Sequence, residues 1–160
     1  MKNAQIRKNS LYLVLDNIRS VLNVGSILRT SDAFGVKIVY VCGYTATIDK
    51  EKLSKTALGA ENSVLWEQHK QTWRVLEKLK EQGVLIIALE QNSKSVSLSS
   101  YKIPKNKKEI AIIVGNEVNG LSSAILKFAD AVIEIPMRGI KESLNVAVAT
   151  GIALFSLTND

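Results

Sequence analysis

Three runs of this 160-residue chain are apolar without a break: Leu11 to Leu15 (LYLVL), Val84 to Leu89 (VLIIAL) and Ile110 to Val114 (IAIIV). A strand with one wet face alternates apolar and polar residues. A continuous run has no wet face, and that is the pattern of strands in a parallel sheet covered on both sides. Two further β-rich runs, Lys37 to Val41 (KIVYV) and Ala131 to Ile135 (AVIEI), are of similar length. Segments with helical spacing separate them. Strands that alternate with helices predict an α/β fold with a mostly parallel sheet and helices on both faces.

In chain order, Leu11–Leu15 is the first strand and Asp16 to Leu22 a loop. Asn23 is placed to cap a helix over Val24–Phe34, with Gly35 as its stop. Val24, Ile27, Leu28, Ser31 and Phe34 share one face of that helix, and Arg29 points the other way. Lys37–Val41 then closes a parallel β-α-β unit. Thr45 to Asn62 is polar and mixed and carries no assignment. Ser63–Trp66 reads as a short strand and His69–Gln82 as a helix ended by Gly83. After the strand Val84–Leu89, the stretch Gln91–Lys108 reads as a surface connection with room for a turn of helix. Gly120-Leu121-Ser122 opens a short helix over Ser123–Phe128. There is no internal repeat and no linker-like stretch, so a single domain spanning 1–160 is expected.

The last part of the chain is the most unusual. Ala131–Ile135 is cut off by Pro136, which cannot continue a ladder. A polar loop follows, and Ser143 is a good cap for a helix over Leu144–Leu157. That helix is apolar nearly all the way round, so both of its faces should be buried. It is too short to cross a bilayer, which takes about 20 residues. One face can lie on the sheet. The other needs a partner, either more of this chain or a second copy of it.

Composition narrows the classes. The formal charge of +6 permits a polyanionic partner without establishing one. Cys42 is the single cysteine and lies in an apolar run, which excludes a disulfide framework and a cysteine-rich metal site. Met1 to Ser10 is polar and has no apolar core of a leader peptide, so a cytoplasmic location is expected. His69 and Cys42 read as structural.

Three constellations can carry chemistry. In NVGSILRTSDAFG (Asn23 to Gly35), Arg29 opposes the apolar face. It is either a surface residue or the ligand of an anion, for which a guanidinium fork is suited. In VGNEVNGL (Val114 to Leu121), two glycines flank Asn116, Glu117 and Asn119 at the end of a buried strand. This is either an ordinary turn or a loop whose backbone approaches a ligand, with Glu117 a directed carboxylate. The third is IPMRGIKESLN, Ile135 to Asn145, between a strand end and a helix start, a common ligand position in α/β proteins.

Taken together, in this order and spacing, the three motifs resemble the SpoU class of the SPOUT superfamily of RNA methyltransferases. The resemblance runs from about Leu11 to Leu157, and KTALGAE (Lys55 to Glu61) is similar to the TrmH-type branch. Asn116 and Asn119 stand at positions that vary in that class. The resemblance implies a deep C-terminal trefoil knot, a homodimer whose arginine works across the interface, and transfer of a methyl group from S-adenosylmethionine to a ribose 2′-hydroxyl of RNA. It implies a cofactor site formed by Gly115, Asn116, Gly120, Ile135, Met137, Ser143 and Leu144, largely through backbone groups. The catalytic set it implies is Arg29, Glu117, Asn145, Ser143 and Asn23, with no metal. A tRNA substrate is expected ahead of an rRNA one, with no membrane partner.

Two rival classes are weighed against this. A non-catalytic RNA-binding module with the same fold would be expected to have replaced Arg29, Glu117 or Asn145, and all three are present. A nucleotide-binding α/β protein would carry a glycine-rich phosphate loop after its first strand, and Asp16 to Gly25 has neither G-x-G-x-x-G nor G-K-[ST].

Overall fold

The computed structural model describes residues 10–46 and 50–158. Its elements are β1 (Ser10–Asp16), α1 (Val21–Phe34), β2 (Ile38–Cys42), α2 (Lys50–Ala57), α3 (Ala60–Ser63), β3 (Trp66–His69) and α4 (Thr72–Glu81). They continue with β4 (Leu85–Leu89), β5 (Val96–Ser97), β6 (Glu109–Val114), α5 (Ser123–Leu126), β7 (Ala131–Glu134) and α6 (Val146–Thr158). The strands form one sheet in the order β3-β2-β1-β6-β4-β7-β5, and every pairing is parallel. All strand carboxyl ends therefore lie along one edge of the sheet, where α/β proteins place their ligands.

The unbroken apolar runs divide cleanly by the pleat. Leu11, Leu13 and Leu15, with Val39, Val41, Ile87, Ile110 and Ile112, face one core together with α1, α2 and the buried side of α6. Tyr12, Val14, Tyr40, Ile86, Ala111 and Ile113 face the opposite core with Val75, Leu76 and Leu79 of α4. Period-2 side-chain alternation and helices on both faces are what a doubly covered sheet requires.

Several local expectations are corrected. Ser20, not Asn23, caps α1: its side chain accepts the Asn23 N–H at 3.2 Å. Ser20 and Asn23 are both good capping residues, and the helix starts at the earlier one, so the Asn23 side chain bonds elsewhere. The short strand expected at Ser63–Trp66 lies later, at Trp66–His69, because Ser63 closes α3. His69 thus ends a strand, and the helix expected from it begins at Thr72. The unassigned polar stretch holds α2 and α3, which anchor on α1 through Leu53, Ala57 and Ala60. The connection 91–108 contains β5 and turns, and no helix. It still covers apolar surface with Leu98, Tyr101 and Ile103.

Ser143 does not cap the last helix. Asn145 does: its Oδ1 accepts the Ala147 and Val148 N–H groups at 2.9 and 3.3 Å. Nor are both faces of α6 buried within the chain. Thr150, Ala153, Leu154 and Leu157 are buried, while Val148, Ile152 and Phe155 are 52%, 39% and 61% exposed. These three follow helical spacing and form one apolar stripe. α6 lies alongside α1 and runs in the same direction. Asn145 meets Asn23 at the two amino ends, Gly151 lies against Thr30, and Phe155 meets Phe34 edge to face at 6.3 Å.

Candidate functional site

At the sheet's carboxyl edge, the loops after β4, β6 and β7 and the start of α6 enclose an open pocket of about 470 Å³. The β6 loop supplies Gly115, Asn116, Glu117, Val118 and Gly120. The β7 end supplies Glu134, Ile135 and Met137, and the α6 start supplies Ser143, Leu144, Asn145, Val146 and Ala149. All seven residues expected to hold a cofactor line this one pocket. The volume is that of a small-molecule site, typically about 300–1,000 Å³.

The glycines of the β6 loop are required by contact. A Cβ on Gly115 would lie 2.6 Å from the Gly120 carbonyl carbon and 2.7 Å from the Leu121 nitrogen. Gly120 has φ +63°, and a Cβ there would meet the Glu90 carboxylate at 2.3 Å. At Gly115 backbone packs on backbone, and Gly120 holds a left-handed φ, both of which favour glycine. Asn116 ties the loop from inside. Its Oδ1 accepts the N–H groups of Val118 and Asn119 at 2.9 and 3.0 Å, and its Nδ2 donates to the Asn17 carbonyl at 2.8 Å. Asn116 lines the pocket, but its side chain is spent on the loop itself.

Glu90 is a pocket residue that the sequence reading missed. Its carboxylate accepts the Leu121 N–H at 2.8 Å and the Gln91 N–H at 2.9 Å, and so fixes the far side of the β6 loop. The available signal was a lone carboxylate straight after a fully apolar strand.

Three of the expected catalytic residues meet at the pocket rim in one directed chain. Asn145 Nδ2 donates to Asn23 Oδ1 at 3.0 Å, and Asn23 Nδ2 donates to Glu117 Oε1 at 3.1 Å. The Glu117 carboxylate also accepts the backbone N–H groups of Arg19 and Ser20 at 3.1 and 3.2 Å. Burial pushes the Glu117 carboxyl upward. The hydrogen bonds from its own backbone, Arg19, Asn23 and Ser20 outweigh that and hold it below the usual carboxylate range. An ionised carboxylate at the amino end of α1 also suits the helix dipole. Ser143 lines the same pocket. Arg29 does not join the cluster within one chain: it is an exposed residue of α1, outside the pocket lining.

The lining fits S-adenosylmethionine. Leu89, Val114, Ile135 and Leu144 offer apolar walls for an adenine ring. The glycine-rich backbone supplies close polar contacts, and Glu90, Glu117 and Glu134 give an acidic character suited to a sulfonium and an ammonium group.

The SpoU rRNA methylase family matches residues 10–155. The chain belongs to that family. It therefore stands among the S-adenosylmethionine-dependent RNA 2′-O-ribose methyltransferases. It is 35% identical over 150 residues to a tRNA (guanosine(18)-2′-O)-methyltransferase of Aquifex aeolicus, covering 93% of this chain and 69% of that one. It is 35% identical to the 23S rRNA (guanosine-2′-O-)-methyltransferase RlmB of Neisseria meningitidis, over 90% of this chain and 56% of the relative. Among solved structures, an AdoMet-bound rRNA methyltransferase of Sinorhizobium meliloti superposes with a TM-score of 0.85 at 29% identity, over 94% of this chain and 56% of that one. A structure concerned with 2-OH methylation of C/U34 on tRNA superposes with a TM-score of 0.80 at 26% identity, over 92% and 93%. The chain thus spans about two thirds of the tRNA enzyme from A. aeolicus and little more than half of the rRNA enzymes. No helix among the described residues is long and apolar enough to cross a membrane.

Proposed function

We propose that this SpoU domain methylates a ribose 2′-hydroxyl of tRNA in the cytoplasm and works as a homodimer with its last segment threaded as a trefoil knot. The observation that carries the site reading is the chain Asn145–Asn23–Glu117, which joins all three motifs at the rim of a single pocket. S-adenosylmethionine, when bound, supplies a methyl group on a positively charged sulfur. Gly115, Gly120, Ile135, Met137 and Leu144 would hold it, with Asn116 and Glu90 keeping the β6 loop in shape.

The reaction forms an oxygen–methyl bond, breaks a sulfur–methyl bond and removes the hydroxyl proton. Holding the two reactants close and aligned supplies about 7–11 kcal/mol of the barrier in favourable cases. A guanidinium has only donors to offer, so Arg29 is assigned to the RNA phosphate and to the developing alkoxide and not to proton abstraction. The hydroxyl proton is released to solvent as the oxygen–methyl bond forms. Glu117 orients α1, and through it Arg29, by gripping the helix's amino end. Ser143, Asn23 and Asn145 position the phosphate and the hydroxyl. Arg29 reaches a pocket from the partner subunit, a reading supported by its exposure and its absence from its own chain's pocket. The exposed apolar residues Val148 and Ile152 of α6 support a twofold contact there.

The tRNA target is supported by two relatives of which this chain covers more than two thirds, the A. aeolicus tRNA enzyme and the C/U34 structure. An rRNA target is the second reading, favoured by the 35% identity to the N. meningitidis RlmB. Mass spectrometry of tRNA and 23S rRNA from a strain lacking the gene decides between them. A 2′-O-methyl nucleoside missing only from tRNA is the expected result, and one missing only from rRNA would overturn the tRNA reading.

A further inference from the structure

Tyr44 is 87% exposed, yet the turn that carries it is tied down from three sides. The Tyr44 N–H donates to Asn17 Oδ1 at 2.9 Å, and the Gly43 N–H donates to the His69 carbonyl at 2.9 Å. Buried Thr45 donates its hydroxyl to the Cys42 and Leu15 carbonyls and accepts the Ile18 N–H at 3.0 Å. A single exposed aromatic residue is ordinary. A ring held in water by a rigid turn is preorganised to receive a flat partner, because little is lost in ordering it.

Its surroundings point to the partner. Lys70 follows His69 at the end of β3, beside the Gly43–Tyr44 turn, and is exposed. The Thr72 hydroxyl donates to the Asp16 carboxylate, which fixes the first turn of α4 over the end of β1. That turn carries Trp73, 41% exposed, with the Arg74 guanidinium 5.3 Å from its ring centre. The one carboxylate on β3, Glu67, is engaged by His69 at 3.0 Å. Two aromatic rings interleaved with two cations is the composition of a surface that stacks bases and holds phosphates. The patch also adjoins the pocket. Asn17, which anchors Tyr44, accepts through its carbonyl from Asn116 of the β6 loop, so two hydrogen bonds separate Tyr44 from the pocket lining. Since every strand is parallel, patch and pocket share the carboxyl edge of the sheet.

We propose that Tyr44, with Trp73, Lys70 and Arg74, forms a second RNA contact beside the methyl-transfer pocket, in which Tyr44 stacks on a base flanking the target nucleotide and the two cations hold the adjoining phosphates. This rests on the reading of the chain as an RNA methyltransferase. Base stacking gives binding in ground and transition states alike, so its loss acts on KM for RNA.

The test uses the full chain and whichever unmodified transcript, from a panel of tRNAs and 23S rRNA fragments, the wild type methylates best. Tyr44→Ala raises KM for that RNA roughly 5- to 150-fold, the range expected for one lost stack. The Kd for S-adenosylmethionine and Tm stay in place, and Tyr44→Trp restores KM. Lys70→Ala with Arg74→Ala weakens RNA binding and lowers its dependence on salt. A Tyr44→Ala KM within twofold of wild type overturns this inference and leaves the methyltransferase reading standing. A loss that accompanies dissociation of a dimer on light scattering also overturns it, because the surface is then a contact between copies. A folded wild type that binds S-adenosylmethionine yet methylates no RNA overturns both.

Discussion

Asn145 and Asn23 lie 122 residues apart in sequence and share a hydrogen bond of 3.0 Å at the adjoining amino ends of α6 and α1. The direction of that bond is fixed at both ends. Asn145 uses its Oδ1 to cap α6, so only its Nδ2 is left to donate; Asn23 uses its Nδ2 on Glu117, so only its Oδ1 is left to accept.

This separates two jobs of Asn145. Asn145→Asp keeps the capping oxygen and loses the donor to Asn23. It should lose about 0.5–1.5 kcal/mol of stability, the worth of one hydrogen bond, and methyl transfer should fall as the link between α6 and α1 at the pocket rim loosens. Asn145→Ala loses the cap as well and should cost about 1 kcal/mol more. Thermal unfolding and single-turnover transfer check this. Full activity in Asn145→Asp would reduce the amide link to scaffolding.

Two carboxylates give opposite pH signatures. Glu117 is held below the ordinary 4.5, so its stabilising contribution is complete above that value and is lost as the pH falls through the lower folded value. Asp16 is pushed above the ordinary 3.8 by burial, against the lowering effect of the Thr72 hydroxyl. Ionised Asp16 therefore costs stability near neutrality, and the cost is relieved as the pH falls through its raised folded value. In a series of Tm measurements, Glu117→Gln should lose stability most near neutrality and approach wild type in acid. Asp16→Asn, which keeps an acceptor for Thr72, should gain most near neutrality. Curves that run parallel to wild type would contradict both assignments.

Much of this was legible from sequence where side-chain pattern alone decides. LYLVL, VLIIAL and IAIIV are buried on both faces because nothing in them tolerates water, and the sheet followed. The helix ends were less legible because Ser20 and Asn23, and Ser143 and Asn145, are rival caps close together. Which one caps depends on what the other is needed for, and both asparagines are held by residues far along the chain. The stretch holding α2 and α3 has few apolar residues and borrows its order from α1: a Cβ on Gly25 would fall 1.8 Å from the Thr56 hydroxyl, so these helices pack where a side chain is missing. No spacing rule reports such a contact. Glu90 escaped for the same reason, its distant partner being the backbone N–H of Leu121 in the β6 loop.

Arg29 tests the dimer. Arg29→Ala should change stability by no more than about 0.5 kcal/mol, as expected of an exposed helix residue. It should leave S-adenosylmethionine binding intact and nearly abolish transfer. Arg29→Lys should fail too, since a point charge cannot reproduce the bidentate fork. Ile152→Asp on the bare face of α6 should shift light scattering from twice 17.6 kDa towards 17.6 kDa. Mixing Arg29→Ala chains with chains carrying Gly120→Val in the pocket should restore one working site per heterodimer. No recovery in a verified heterodimer would mean that each chain supplies its own arginine.

The central claim is ribose 2′-O-methylation from the pocket between the β6 loop, the β7 end and α6. Its most direct test is incubation of the purified chain with methyl-labelled S-adenosylmethionine and unmodified tRNA transcripts, followed by digestion to nucleosides and mass spectrometry. Label is expected on the ribose 2′-oxygen of one nucleoside, and none when Glu117→Ala or Arg29→Ala replaces the wild type. Label on a base, or none from a folded protein that binds the cofactor across the whole transcript panel, would contradict it.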